Sequence, residues 1–309
     1  MQLYLPIAEI SVNMFMIFGM GGAVGFLSGL FGIGGGFLLT PLLIFSGIPP
    51  AVAVATVTTQ TVASSASGVL TYWRRGAIDM KMAGILLTAG IAGSAAGAWL
   101  FGKLQAIGQL DVVIALSYVT FLSTVGGLML VESLRAIRQR RAGTARAARK
   151  PGQHNWIHGL PLKVRFRKSK LYLSVIPIIV LGAGIGFIGT VLGIGGGFLM
   201  VPAMIYLLRM PTSIVIGTSL MQILFTMAFA TLFLSISTQT IDIVLALTLM
   251  IGGVIGAQFG ARMGQKLRGD QLRLLLALLV LAVGVRFAVD LVVMPDEFYS
   301  VAVRKGEGL

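Results

Sequence analysis

Two apolar stretches, "GLFGIGGGFLLTPLL" at residues 29–43 and "TVLGIGGGFLMVPAM" at residues 190–204, carry the same interruption. Each places a G-I-G-G-G cluster, Gly32 to Gly36 and Gly193 to Gly197, inside sequence that is otherwise hydrocarbon, and each adds a proline, Pro41 or Pro202, at the same distance. Glycine is among the weakest helix formers, so neither stretch is built as one uninterrupted helix. The medium is set by composition: 56% of the chain is hydrophobic and 11% charged, with a mean hydropathy of +0.94. Soluble domains carry about 25% charged residues. The chain lacks the polar surface of a water-exposed globule and reads as an all-α polytopic membrane protein. From Met14 to Phe45 there are 32 residues, which would span about 48 Å as one helix. A bilayer core is about 30 Å thick, so a single straight helix is excluded. The economical solution is a broken-helix hairpin, with a full span from Met14 to Phe31, a turn at the glycines and a shorter return from Phe37 to Phe45.

The chain divides into two apolar halves and a basic segment between them. We read 1–134 as a first transmembrane repeat, 135–170 as a cytoplasmic loop, 171–293 as a second repeat and 294–309 as a C-terminal tail. Residues 135–170 hold 12 of the 24 Lys and Arg and no acid. Basic residues concentrate in cytoplasmic loops, so this loop is expected to lie near anionic headgroups, and nucleic acid is not expected as a partner. His154 and His158 both lie in it, without carboxylates beside them, which argues against a metal site. The N-terminus "MQLYLPIAEI" lacks the charged region of a cleavable signal peptide, so the first helix is read as retained.

The halves are copies. The glycine clusters align at an offset of 161, Thr56 and Gln60 fall on Thr218 and Gln222, "GSAAGAWLFGKL" matches "GAQFGARMGQKL", and Asp79 matches Asp242. Further spans are predicted near 52–72, 80–102 and 112–133. Counting the return arm, each half makes an odd number of passes, which turns the second half upside down. With 135–170 inside, that inverted arrangement also puts Arg74, Arg75, Arg209, Arg262, Lys266, Arg268 and Arg273 inside and leaves Lys103 outside, as the basic-residue bias prefers.

Irregular backbone inside a bilayer is tolerated only where protein or a wet cavity surrounds it. At Gly34, Gly35 and Gly36 one helix ends and another begins at Phe37. Gly195, Gly196 and Gly197 repeat the arrangement before Phe198. The exposed N–H groups and dipoles of such half-helices attract anions, and glycine lets an anion reach the backbone. Close helix packing is the competing use of small residues. It is the preferred reading for Gly93, Gly97, Gly256 and Gly260. A second feature is a polar stripe, Thr56, Gln60 and Ser64 at i, i+4 and i+8, repeated as Thr218, Gln222 and Thr226. Such side chains should face the interior, either donating to an oxyanion or binding helix to helix, with Gln60 bonded to Gln222 or a carbonyl. Asp79, Asp111, Asp242 and Asp270 sit near span ends as solvated or capping groups, while Arg286 and Asp290 read as an intrahelical pair. With no cysteine, no embedded histidine and no acid at the centre of a span, neither an intramembrane hydrolase nor a carboxylate-driven cation pump is favoured. No cofactor or metal is expected.

The duplicated G-x-G-G-G…P motif, the T-x-x-x-Q stretches and the aspartates after them resemble the TauE/SafE sulfite-exporter family of bacterial membrane permeases, over about 250 residues. The resemblance implies a carrier of sulfite, sulfoacetate or another small sulfur-containing anion, in a bacterial inner membrane, with Gly34 to Gly36 and Gly195 to Gly197 at the substrate site. The long basic loop departs from the family's compact pattern. The rival reading is a non-transporting scaffold that recruits a partner through that loop. The sequence leaves oligomerisation, the anion and the direction of transport open.

Overall fold

A computed structural model of the chain describes residues 2–31, 35–141, 161–166, 168–169, 171–208, 210, 212–264 and 269–292. Ten helices are built from these: α1 (Met14–Phe31), α2 (Gly36–Phe45), α3 (Pro50–Arg74), α4 (Met80–Ile107), α5 (Leu110–Arg141), α6 (Val175–Leu192), α7 (Gly197–Tyr206), α8 (Thr212–Ser237), α9 (Ile243–Gly264) and α10 (Gly269–Val292). Five of them hold stretches long and apolar enough to cross a bilayer, namely Met80–Ile107, Leu110–Val131, Val175–Leu192, Ile214–Ser237 and Ile243–Gly260. The chain is an all-α polytopic membrane protein. Large apolar side chains such as Phe15, Leu128, Val180 and Ile236 point outward, the expected surface where the surrounding solvent is lipid.

Two short hairpins were not anticipated. β1 (Gln2–Leu5) pairs antiparallel with β2 (Ile10–Asn13), and β3 (Lys163–Phe166) with β4 (Leu171–Ser174). Each runs straight into a helix of a glycine-broken pair, α1 or α6, so the copying of the halves extends to their N-terminal hairpins. α5 continues to Arg141, past the point where the sequence places the loop.

Helix ends follow local chemistry. Pro50 opens α3 at a position where no N–H is required. Asp79 caps α4, accepting from Met82 N, and Gly108 closes that helix in the left-handed conformation. Ser174 caps α6.

Helix pairing exchanges the halves. α1 packs along α9 in the same direction, Gly21 facing Leu249, Gly25 facing Gly253 and Gly29 facing Ala257. α4 packs along α6 in the same way, Gly182 facing Leu86, Gly186 facing Gly90 and Gly97 facing Phe187. Gly93 lies against the Ala183 carbonyl, Gly256 against Gly22 and Gly260 against Phe26. Gly93, Gly97, Gly256 and Gly260 are packing residues, since a Cβ there would collide with backbone of the next helix. α3 and α8, copies of each other, run in opposite directions, with Thr58 against Thr231 and Gly68 against Leu220. α5 and α10 also oppose one another, Gly126 facing Leu281 and Gly284 facing Leu122.

Candidate functional site

The two interruptions meet. α1 ends at Phe31 and α2 begins at Gly36; α6 ends at Leu192 and α7 begins at Gly197. Phe37 and Phe198, the matching first side chains of the two short helices, stack with ring centroids 4.5 Å apart and planes 16° apart. Both are buried. A methyl on Gly36 would stand 2.7 Å from the Gly193 carbonyl oxygen and 2.9 Å from that of Ile194, so the start of α2 rests directly on the second break. Gly34 lies outside the described residues. Gly193, Gly195 and Gly196 have φ of 67°, 74° and 75°. Three left-handed residues within four are a conformation that glycine adopts without strain. Gly35 has an ordinary φ of −75°, so the two breaks, alike in sequence, differ in backbone.

At each short helix the first amides lack acceptors within the helix. Leu38 N and Leu39 N reach back to Gly35 O, and Leu199 N and Met200 N to Gly196 O. The N–H groups of Gly36 and Phe37, and of Gly197 and Phe198, come before those bonds. They open the positive ends of α2 and α7 toward the junction.

The polar stripe divides into two parts. Its membrane-face ends are structural: Asp242 N donates to Thr56 Oγ1 and Asp79 N to Thr218 Oγ1, both at 3.1 Å. The two aspartates are buried, not solvated, and each ties three elements together. Asp242 Oδ1 accepts from Leu245 N to cap α9, and Oδ2 accepts from Ile7 N of the first hairpin. Asp79 Oδ2 accepts from Ser169 N and Ser169 Oγ of the second. Asp111 stays exposed in the first turn of α5.

The middle of the stripe is different. Gln60 and Gln222 are each 1% exposed, and Oε1 of each has no hydrogen-bond partner among the described residues. Gln222 Nε2 donates to Thr226 Oγ1 within α8, and Ser64 Oγ donates to Thr61 O within α3. Gln60 rests on Gly253 of α9 and Gln222 on Gly90 of α4, matching positions of the two halves. Thr59 Oγ1 and Ser65 Oγ are also buried without partners among the described residues. Buried polar groups are nearly always hydrogen-bonded, so these side chains are exceptions among the described residues.

Thr40, Tyr118, Phe121 and Phe287 were not singled out in the sequence, whereas Thr61 belongs to the polar face of the first copy of the stripe. Thr40 Oγ1 lies 3.1 Å from where a Gly193 Cβ would stand, and Thr61 packs on Gly195. Tyr118 of α5 donates to Leu192 O, the last residue of α6, and stacks on Phe287 of α10, which in turn meets Phe45 of α2. Phe121 meets Phe198 edge-on. Thr40 had a visible signal: its copy in the second half is Val201, a polar-for-apolar difference inside an otherwise repeated motif. A groove of about 480 Å³ between α5 and α6 borders the second break through Val191 and Leu192. The hydroxyls of Thr120 and Thr124 on its wall donate back to their own helix. Arg286 lies over the Phe45 ring at the far end of α2, while the Asp290 side chain is outside the described residues.

Residues 17–287 match the family model described as sulfite exporter TauE/SafE. The chain belongs to that family. Among curated relatives, the probable membrane transporter protein YjnA of Bacillus subtilis is 29% identical over 270 residues, covering 86% of this chain and 96% of its own. A probable membrane transporter protein of Xylella fastidiosa is 29% identical over 277 residues, with 88% and 94% covered. YunE of Bacillus subtilis, also described as a probable membrane transporter protein, is 24% identical over 279 residues. No solved structure matches the chain. As a TauE/SafE protein with near full-length transporter relatives, it is a multi-pass membrane transporter.

Proposed function

We propose that this TauE/SafE protein is a carrier of a small sulfur-containing anion, such as sulfite, sulfoacetate or another organosulfonate. It works by alternating access between two inverted halves. The observation that carries the reading is the junction at Phe37 and Phe198, where two half-helices begin side by side next to a left-handed glycine turn. Successive backbone N–H groups in such turns make anion-binding concavities, and half-helix N-termini aimed at an anion near the midplane recur in secondary transporters. The side-chain amides of Gln60 and Gln222 complete the shell. In the resting conformation the two breaks touch, so an anion enters by parting them. A site without an embedded cationic side chain binds weakly enough to release its ligand.

Inversion is supported by the helix directions. α3 opposes α8 and α5 opposes α10. α4 runs with α8, as Asp79 meets Thr218, Gln222 meets Gly90 and Gly102 meets Thr238. With α1 parallel to α9, α4 parallel to α6, and α3 parallel to α9 through Thr56–Asp242 and Gln60–Gly253, helices α1, α3, α4 and α5 each run against their copies. The charges agree: Arg74, Arg75 and Lys81 gather at the end where Lys168 donates to Gly76 O and Ser169 meets Asp79. Lys103 lies toward the other end, its ammonium over the Trp99 ring. The basic end is therefore cytoplasmic. The buried carboxylates are occupied as helix caps, which fits a carrier better than an enzyme.

Uptake of labelled sulfite and sulfoacetate into proteoliposomes tests the reading. Saturable flux supports it. Absence of flux, together with no thermal stabilisation of the purified protein by any anion, would favour the scaffold that recruits a partner through residues 135–170.

A further inference from the structure

We propose, resting on the carrier reading above, that alternating access is carried by two composite bodies, each built from helices of both halves. One body holds α1, α3 and α9, the other α6, α8 and α4. The correspondence that copies one half onto the other also copies one body onto the other.

Helices are seated differently within and between these bodies. Within the first, α1 meets α9 backbone to backbone once per turn. A Cβ on Gly21, Gly25 or Gly29 would collide with a carbonyl of α9, and one on Gly252, Gly256 or Gly260 with a carbonyl of α1. Within the second, Gly182 and Gly186 of α6 and Gly93 and Gly97 of α4 do the same, and Thr190 Oγ1 donates to Ser94 Oγ at 2.8 Å. Small residues let helix backbones approach this closely. Sliding such a pair by less than a turn drives a Cβ into the opposing carbonyls, so each pair moves as one piece.

A buried aspartate ties the third helix to each pair. Thr56 of α3 accepts from Asp242 N at the start of α9, and Thr218 of α8 accepts from Asp79 N at the start of α4. Each aspartate also holds the hairpin that leads into its own body, Ile7 N donating to Asp242 and Ser169 to Asp79. Across the seam the contacts change. α3 and α8 meet through side chains, Thr231 Oγ1 donating to Thr58 Oγ1 at 3.1 Å and Gly68 facing the end of Leu220. Side chains change rotamer as packed helices shear. The breaks fill the rest of the seam, with Gly193 against Val54, Gly195 against Thr61 and Phe37 on Phe198. α5 and α10 pack on each other beside both bodies. The chain passes directly between the bodies at 75–79 and 238–242, each time through a left-handed residue, Gly76 (φ 64°) or its copy Gln239 (φ 50°). Hinges are a few such loop residues. Motion about them parts the breaks, where the carrier reading needs access.

The cysteine-free chain permits two matched cross-links. Ser94→Cys with Thr190→Cys lies within a body, and Thr58→Cys with Thr231→Cys lies across the seam. Each pair replaces two hydroxyls already in contact, and each joins one sequence half to the other. Uptake of labelled sulfite and sulfoacetate into proteoliposomes is measured after a membrane-permeant oxidant and again after reductant, with free thiols counted in denatured protein. The 94–190 disulfide should leave uptake at its reduced level. The 58–231 disulfide should abolish uptake, and reductant should restore it. Loss of uptake with both disulfides would make the sequence halves the moving bodies and overturn the inference. Retention with 58–231, or loss with 94–190 alone, overturns it too. Should a thiol pair fail to fold or to close, spin labels on cysteines at the exposed positions Trp73, Phe259 and Met80 give a second measurement. On saturation with sulfite the spacing of 73 and 259, in one body, should hold, and that of 259 and 80, in different bodies, should change; any other pattern overturns the composite bodies. Absence of uptake by the wild-type protein overturns the carrier reading instead.

Discussion

The phenolic hydroxyl of Tyr118 donates to the carbonyl oxygen of Leu192 across 2.5 Å, joining the middle of α5 to the residue where α6 breaks. The end of a helix leaves carbonyls without partners, and a break inside a membrane must satisfy them with protein. Here a side chain from another helix does so. The arrangement is one-sided: α10, the copy of α5, has no aromatic residue between Gly269 and Val285. Tyr118→Phe keeps the ring stacked on Phe287 and removes only the donor. It should lower stability by about 1–3 kcal/mol, the cost of leaving a buried acceptor unpaired, measured as a shift in the unfolding transition in detergent. An unchanged transition would mean that Leu192 O finds another donor.

The buried aspartates make a second test by their inequality. Asp79 accepts from Met82 N, Ser169 N and Ser169 Oγ; Asp242 accepts from Leu245 N and Ile7 N. Replacing either by alanine removes a helix cap, which costs about 0.5–2 kcal/mol, and frees a hairpin. Asp79→Ala should cost more, by the one additional bond to a charged group, roughly 1.5–3 kcal/mol. Ser169→Ala should recover most of that difference on its own. Equal losses for the two aspartates in the unfolding midpoint would show that the Ser169 hydroxyl contributes nothing.

Much of this was legible in the sequence because length and hydropathy are blunt constraints. Met14 to Phe45 is too long for one span and too apolar for a loop, and α1 and α2 begin and end where that arithmetic puts them, within a residue or so. The packing role of Gly93, Gly97, Gly256 and Gly260 was readable from their spacing. What the sequence hid was long-range. Thr56 and Thr218 look like ligand donors when only their stripe is considered, yet each is met by the main-chain N–H of an aspartate from the other half. Asp79 and Asp242 look solvated at span ends until the hairpins that bury them are present. Those hairpins are four-residue strands, too short for a periodic pattern to emerge. Tyr118 in an apolar helix gives no local sign that it faces a break 74 residues away.

The glutamines now carry a sharper expectation than either reading of the stripe alone. Because Oε1 of Gln60 and of Gln222 has no partner, Gln60→Leu or Gln222→Leu removes an unsatisfied buried group at similar volume. Stability should stay level or rise. Anion affinity should fall about tenfold or more, since a hydrogen bond to a charged group contributes roughly 1.5–3 kcal/mol. Reduced stability with unchanged affinity would instead assign both amides to helix–helix binding.

Topology follows from the helix directions and is checked in the cysteine-free chain. Single cysteines at Lys168 and Ser237 should lie on opposite faces, Lys168 with the basic end and Ser237 at the far end of α8. An impermeant thiol reagent added to intact cells should label position 237 and spare 168. Labelling of both, or of 168 alone, would contradict the inverted arrangement with a cytoplasmic basic end.

The glycines give a graded series, because a methyl meets different obstacles at each. At Gly93 a Cβ would collide with the Ala183 carbonyl, and at Gly260 with the Phe26 carbonyl, backbone atoms of tightly packed neighbouring helices. Alanine there should be the most damaging to folding. At Gly196 the obstacle is the Ile185 Cγ2, 2.5 Å from the new methyl, but φ is 75°. The left-handed conformation costs a non-glycine residue about 1–2 kcal/mol, so Gly196→Ala mixes strain with any loss of binding. At Gly35 φ is ordinary and the obstacle is Val24 Cγ1 at 2.8 Å, the end of a side chain. Gly35→Ala is therefore the cleaner probe of the junction: it should fold near normally and weaken anion binding, because the methyl, pressed against Val24 of α1, shifts the start of α2. The expected order of destabilisation is Gly93 and Gly260 first, then Gly196, then Gly35. Wild-type anion affinity and full transport by a well-folded Gly35→Ala protein would remove the first glycine cluster from the site and leave its three glycines as a means of seating α2 on the second break.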